Sequence, residues 1–109
     1  MGSKDLVLQK AAEVVPTRFS LSQNFPNPFN PSTSIAVEVP FAENVTLTIY
    51  NALGQAVRVL HTGVLQPGRH WFQWDAKDDR RNSVPSGAYY CRMMDPEGMS
   101  LVTRMLLVK

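Results

Sequence analysis

The sequence predicts an all-β fold, an antiparallel β-sandwich of about six or seven strands. Three observations carry that expectation. From Ile35 onward apolar and polar side chains alternate with a period of two, the pattern of strands with one buried face. Short turn signatures rich in Asn, Gly and Pro separate those segments. No stretch carries a helix frame running from an N-cap to a C-cap. The 109 residues make one domain at most, and a chain of that size buries roughly 60–70% of its unfolded surface, enough for one modest core.

The N-terminal part reads differently from the rest. Met1-Gly2-Ser3 has the look of a cloning scar, which suggests a domain excised from a longer protein. "KDLVLQKAAEVVPTR" (4–18) holds the one plausible helical turn, but Pro16 stops it and it is read as linker. The expected division is scar and linker over 1–18 and a folded domain over 19–109.

"QNFPNPFNPST" (23–33) comes next. Each proline removes a backbone donor and pushes its predecessor toward extended geometry, so residues 24–31 cannot lie inside a sheet and are expected to form a stiff edge. Asn24, Asn27 and Asn30 are expected to bond their own downstream backbone in Asx-turns, with Phe25 and Phe29 pinning the segment to the sandwich. Two roles fit such a collar. One is a rigid entry lead that fixes where the linker joins. The other is a preorganised docking surface, which loses little entropy when a partner binds.

The strands follow in order. "SIAVEV" alternates Ile35, Val37 and Val39 with Ala36 and Glu38, and Pro40 ends it. "VTLTIY" puts Val45, Leu47 and Ile49 on one face, and the turn "NALG" returns the chain into "QAVRVL" as a hairpin. "QPG" (66–68) is a turn out of which "RHWFQW" runs as a strand. "DAKDDRRNSVPS" (75–86) is the longest loop, and "GAYYCRMM" and "MSLVTRMLLVK" form a last hairpin around "DPEG" (95–98).

Composition narrows function mainly by exclusion. Hydrophobic residues at 44% against 18% charged describe a globular chain, and a net charge of +2 without a basic cluster argues against nucleic acid. No apolar run approaches the roughly 20 residues of a membrane helix, so no direct membrane insertion is expected. Cys91 is the sole cysteine, which rules out an intrachain disulfide and a paired-Cys metal site.

Candidate chemistry is sparse. His61 and His70 lack converging Cys or carboxylate partners, and Ser83 and Ser86 lie in no nucleophile elbow, so no catalytic residue, metal or cofactor is assigned. Asp75, Asp78 and Asp79 could offer oxygens to Ca²⁺, although the EF-hand pattern is missing. Trp71 and Trp74 fall on opposite faces of one strand, Trp74 being the core candidate. An exposed Trp71 with Tyr90 would make a sugar-stacking platform, giving a carbohydrate-binding accessory module as the alternative function. Gly87 and Tyr89 in "SGAYY" look like a corner in which the hydroxyl ties a loop, and Arg104 and Lys109 suit a charged strand edge.

Four blocks, "PTRFSLSQNFPNPFNPSTSIAVEVP", "VTLTIYNALGQAVRVL", "GVLQPGRHWFQWDAKDDRRNSVPSGAYYCRM" and "TRMLLVK", resemble in order the type A C-terminal sorting domain of the type IX (Por) secretion system, over about residues 16–109. The chain is also similar to the immunoglobulin-like domain of flagellar hook-capping proteins, through its "YN..G..V" and "SG.Y" elements. The resemblance implies an immunoglobulin-like antiparallel β-sandwich of about seven strands. It also implies a noncatalytic secretion signal that takes its parent through the periplasm to the cell surface or outside. The implied partners are the outer-membrane translocon and sortase-like components of that system, with N-terminal cargo domains on the same chain and cleavage before about Arg18. Partner-binding positions carried over are Asn27, Pro28, Asn30, Pro31, Gly87, Tyr89, Arg104 and Lys109. Two departures stand out. The family's usual glycine near Arg81 is missing from "DDRRNS", so that turn is expected to be reshaped. Cys91 also stands where an aromatic or apolar residue is common.

Overall fold

A computed structural model describes residues 15–109. The expected scar and most of the expected linker, with the helical turn read in it, lie outside the described residues. Seven strands follow in order: β1 (Ser20–Leu21), β2 (Thr33–Val39), β3 (Glu43–Asn51), β4 (Ala56–Leu65), β5 (Gly68–Trp74), β6 (Gly87–Met94) and β7 (Ser100–Leu107). They form a three-stranded sheet ordered β1-β2-β5 and a four-stranded sheet ordered β4-β3-β6-β7, every strand pair antiparallel. The predicted β-sandwich is the observed fold.

The period of two sets which side chains face inward. Ile35, Val37 and Val39 on β2 and Val45, Leu47 and Ile49 on β3 are fully buried, and they meet Cys91, Met93, Met105 and Leu107 from β6 and β7. Each such apolar side chain contributes about 1.5–3 kcal/mol by leaving water. Burial pushes the Cys91 thiol up to about 12, as the desolvated thiolate is disfavoured. Cys91 thus fills an inward-facing core position, as the apolar residue common there would.

The turns follow their residues. Asn51 Oδ1 accepts from Leu53 N and Gln55 N at 3.0 Å each, and Gly54 takes φ +80° to close the β3–β4 hairpin. Asp95 Oδ1 accepts from Met99 N at 2.7 Å in the β6–β7 hairpin. The 66–68 turn does something the local sequence does not state. It hands the chain from β4 in one sheet to β5 in the other, where β5 pairs along its length with β2.

The strand directions give the sandwich two poles. Ser20 pairs with Glu38, so the lead enters beside Phe41, against which Phe19 packs edge-on at 5.4 Å, and the turn at 95–98 lies at this same pole. At the other pole stand the collar, the β3–β4 turn, the 75–86 loop and Lys109. The entry-lead role predicted for the collar is therefore corrected, because the chain from Ser20 to Phe25 runs alongside β2, from Glu38 to Ser34, before the collar begins.

Candidate functional site

The collar closes one flank of the sandwich by joining β2 to β7. Phe25 exchanges two backbone bonds of 2.9 Å with Ser34 at the start of β2. Four residues later Phe29 N donates to Leu106 O at 2.9 Å, and Val108 N donates to Phe29 O at 3.1 Å, a short parallel bridge on the outer edge of β7. Leu106 N donates to Asn27 Oδ1 at 3.0 Å and Gln23 Nε2 to Arg104 O at 2.8 Å. The collar thus occupies the edge of β7 from Arg104 to Val108, where bare donors and acceptors would template unwanted pairing. The peptide bonds before Pro26, Pro28 and Pro31 are cis.

One ring anchors this arrangement. Phe29 is 2% exposed and packs on Trp74 at 5.7 Å, and Trp74 packs on Tyr89 at 5.2 Å, so the collar, β5 and β6 share one aromatic cluster. Its polar tips are satisfied: Trp74 Nε1 donates to Lys77 O at 2.9 Å and Tyr89 OH to Pro85 O at 2.6 Å. Asn24 is buried too. Its Nδ2 donates to Pro26 O and Thr33 Oγ1, and its Oδ1 accepts from Gln23 Nε2 at 2.6 Å.

Several expectations change against this geometry. Phe25 does not pin the collar; its ring is 78% exposed, because its strand-like pairing with Ser34 turns it outward. The asparagines do not form Asx-turns. Asn24 donates rather than accepts toward its downstream backbone, and Asn27 reaches across to β7. Of the eight predicted contact residues, Asn27, Pro28, Asn30, Pro31, Arg104 and Lys109 are exposed. Tyr89 is buried with its hydroxyl bonded, so it builds the corner instead of meeting a partner, and half-buried Gly87 begins that strand. Lys109 sits against the corner, its N donating to Ser86 Oγ at 3.0 Å. The reading missed Gln23, whose side chain ties the collar base to Arg104 O and to Asn24 Oδ1; an amide beside Asn24 was the only signal.

The other candidates resolve as scaffold. His61 and His70 place Nε2 on the carbonyls of Gly63 and Gln66 at 3.1 and 2.7 Å. Asp75 pairs with Arg58 at 3.2 Å, Asp79 Oδ1 accepts from Val59 N, and Asp78 Oδ1 accepts from Arg80 N and Asn82 N, so the three carboxylates do not converge on a cation. The carboxylates that do converge are Glu43, Asp95 and Glu97, within 4.8 Å of one another at the lead pole. There a hydrogen bond with Glu43, and then its charge, holds Glu97 above its ordinary range. The predicted Trp71–Tyr90 platform is absent: Trp71 stands on the outer face of the three-stranded sheet and Tyr90 on that of the four-stranded one. The turn at Arg81 keeps a left-handed residue without glycine, with φ +70° at Arg81.

Residues 23–96 match the model of the FlgD Ig-like domain. The basal-body rod modification protein FlgD of Salmonella typhimurium is 44% identical over 48 residues, which are 44% of this chain and 21% of that protein. The chain thus spans about a fifth of that relative's length. Among solved structures, dimeric latent PorU from Porphyromonas gingivalis superposes with a TM-score of 0.61 at 20% identity, over 87% of this chain and 10% of that one. PorZ from the same organism, described as an essential surface component of the type-IX secretion system, superposes with a TM-score of 0.50 at 18% identity, over 84% and 11%. At such identities these likenesses concern the fold.

Proposed function

The chain belongs to the FlgD Ig-like domain family, and from that premise we propose that it is a noncatalytic C-terminal sorting domain, carrying a parent protein through the type IX secretion system to the cell surface or beyond. The observation that carries this reading is the two-pole layout. A parent attached ahead of Val15 joins at the Phe19–Phe41 pole, while the collar and the end of β7 stand together at the opposite pole, free of the parent. Exposed Asn27, Pro28, Asn30, Pro31 and Lys109 form the surface the translocon reads, with Arg104 beside them on β7. Their backbone is already fixed by the Phe29 anchor and the bonds to Leu106 and Val108, so a partner meets a rigid shape and ordering it costs little. Removal of the parent by a sortase-like component would fall in the lead before Arg18, at the far pole from the recognised surface. The likeness to PorZ supports this reading at the level of fold.

A test fuses residues 16–109 behind a folded reporter in a host with a type IX system. The reporter is expected in the medium or on the surface, and retention in the periplasm overturns the reading. A fusion carrying Asn30→Asp and Lys109→Glu, which keeps the anchors, is expected to be retained while the domain remains folded. The 44% identity over 48 residues with FlgD favours a second reading, a structural module of a flagellar cap. Under it, grafting this domain in place of the equivalent FlgD segment restores hook assembly and the fusion stays periplasmic.

A further inference from the structure

The sandwich protects its sheet edges unevenly. Of the four edge strands, β7 lies under the collar, β4 is bonded by the 75–86 loop at Val57 and Val59, and β1 is two residues long. The remaining edge is β5, seven residues from Gly68 to Trp74. Its ladder with β2 runs without a register shift, and it carries no proline. Its one full charge, on Arg69, is answered on its own face by Glu38 at 3.8 Å. The devices that blunt an edge, a bulge, a proline or an unpaired charge, are thus missing from this strand.

Bond alternation shows which backbone groups are open. Ser34 and Ala36 direct their amides and carbonyls toward Phe25 and Ser22, away from β5. In an antiparallel ladder the residues opposite them turn theirs the other way. Those residues are Gln73 and Trp71, and Arg69, opposite Glu38, continues the alternation. The N–H and C=O groups of Arg69, Trp71 and Gln73 therefore point outward from the edge, and none of them has a partner among the described residues. Trp71 stands in the middle of this row and is 63% exposed.

We propose that the edge of β5 is a homodimer interface, pairing antiparallel with the same strand of a second copy about a two-fold axis at Trp71. The row of open groups is its own complement, and this selects a second copy over an unrelated strand. Trp71 meets the second copy's Trp71, and Arg69 meets the second copy's Gln73 on either side, each pair exchanging two backbone bonds. No like charges are opposed. Gln73 Nε2 is turned to Ser32 Oγ at 3.4 Å, which leaves Oε1 to accept from the second copy's Arg69. The two Trp71 rings, each already carrying its own Arg69 at 4.9 Å, cover one another. Sliding the register one step in either direction sets Gln73 or Arg69 against residues beyond the strand, so the match is specific to this register. The two-fold axis sends the two lead poles to opposite ends, and parents attached ahead of Val15 do not collide. The dimer does not depend on the sorting role.

Sedimentation velocity of the full 109-residue chain tests this. A dimer whose share grows with concentration is expected below about 1 mM, the range of small, weak interfaces. Gln73→Pro removes an outward amide and leaves the bonds to β2 intact, so it should keep its melting curve and weaken the dimer at least tenfold. Trp71→Lys, which opposes like charges at the axis, should do the same. Cross-linking reads the register. Trp71→Cys should form an interchain disulfide under mild oxidation, because its two Cα atoms lie about 5.5 Å apart across the axis. Gln73→Cys should not, because its two copies are offset by about 13 Å along the strands. Cys91 is buried and takes no part. A chain that stays monomeric throughout, a dimer that survives either of the first two variants, or a Trp71→Cys chain that cross-links no better than Gln73→Cys would overturn the proposal.

Discussion

The collar and the 75–86 loop do one job with opposite chemistry. Each is an irregular segment that closes an open flank of the sandwich: the collar covers the edge of β7, and the loop covers the edge of β4. The collar holds through a buried ring and backbone bonds. The loop sets two small apolar feet, Ala76 and Val84, and otherwise relies on charge. Asp79 N donates to Val57 O at 3.0 Å, Asp79 Oδ1 accepts from Val59 N at 3.1 Å, and Arg58 joins Asp75 and the Lys77 carbonyl. A proline-rich segment has few free amides with which to hold an edge, so it needs a plug. A polar loop with its amides intact can be held by side-chain oxygens.

The largest expected effect comes from pulling the plug. Phe29→Ala leaves a cavity beside Trp74 and should cost about 3–5 kcal/mol, measured by urea unfolding, with little dependence on salt. Arg58→Ala is the counterpart on the other flank. Its side chain is mostly buried but its carboxylate partners are half in water, so about 1–2 kcal/mol is expected, shrinking in high salt. Equal salt dependence of the two losses would erase the contrast between the fastenings.

Cys91 separates flank chemistry from core chemistry. Its folded thiol is raised to about 12 from an ordinary 9.0, so above pH 9 the unfolded chain binds fewer protons than the folded one, and stability falls as pH rises toward 12. At pH 10 the loss is about 1.4 kcal/mol relative to pH 7, read as the difference between the parent and Cys91→Ala. On the collar flank, Asn27→Ala leaves the Leu106 amide to water at an exposed edge. About 0.5–1 kcal/mol is expected, together with faster hydrogen exchange at Leu106 than at Val59.

The strands and their inward faces were legible because a period of two is a local signal: Ile35, Val37, Val45, Leu47 and Trp74 could each be assigned from their neighbours. The hairpins were legible for the same reason, since turn and partner are adjacent in sequence. What failed was everything that depends on which sheet a strand joins. Pairing Trp71 with Tyr90 fails because β5 and β6 lie in different sheets, and placing the collar at the entrance fails because nothing local says that the chain from Ser20 to Phe25 follows β2 to the far pole first. Phe25 and Phe29 look alike in sequence. Only the pairing with Ser34 on one side and Leu106 on the other decides which ring is buried.

The smallest effect tests the loop from within. Ala76 at φ +60° and Arg81 at φ +70° both hold left-handed backbone, a conformation that costs a residue with a Cβ about 1 kcal/mol or more. Glycine relieves that cost but loosens the unfolded chain. At exposed Arg81 nothing else is lost, and the turn is held by Asp78, whose carbonyl accepts from Arg81 N at 2.9 Å, so Arg81→Gly should stabilise by about 0.5 kcal/mol. At Ala76 the methyl is buried, and removing it offsets the relief, so Ala76→Gly should be neutral or slightly destabilising in the same thermal melts. If both variants gained equally, the loop's apolar feet would contribute nothing, and its closure of the β4 flank would rest on charge alone.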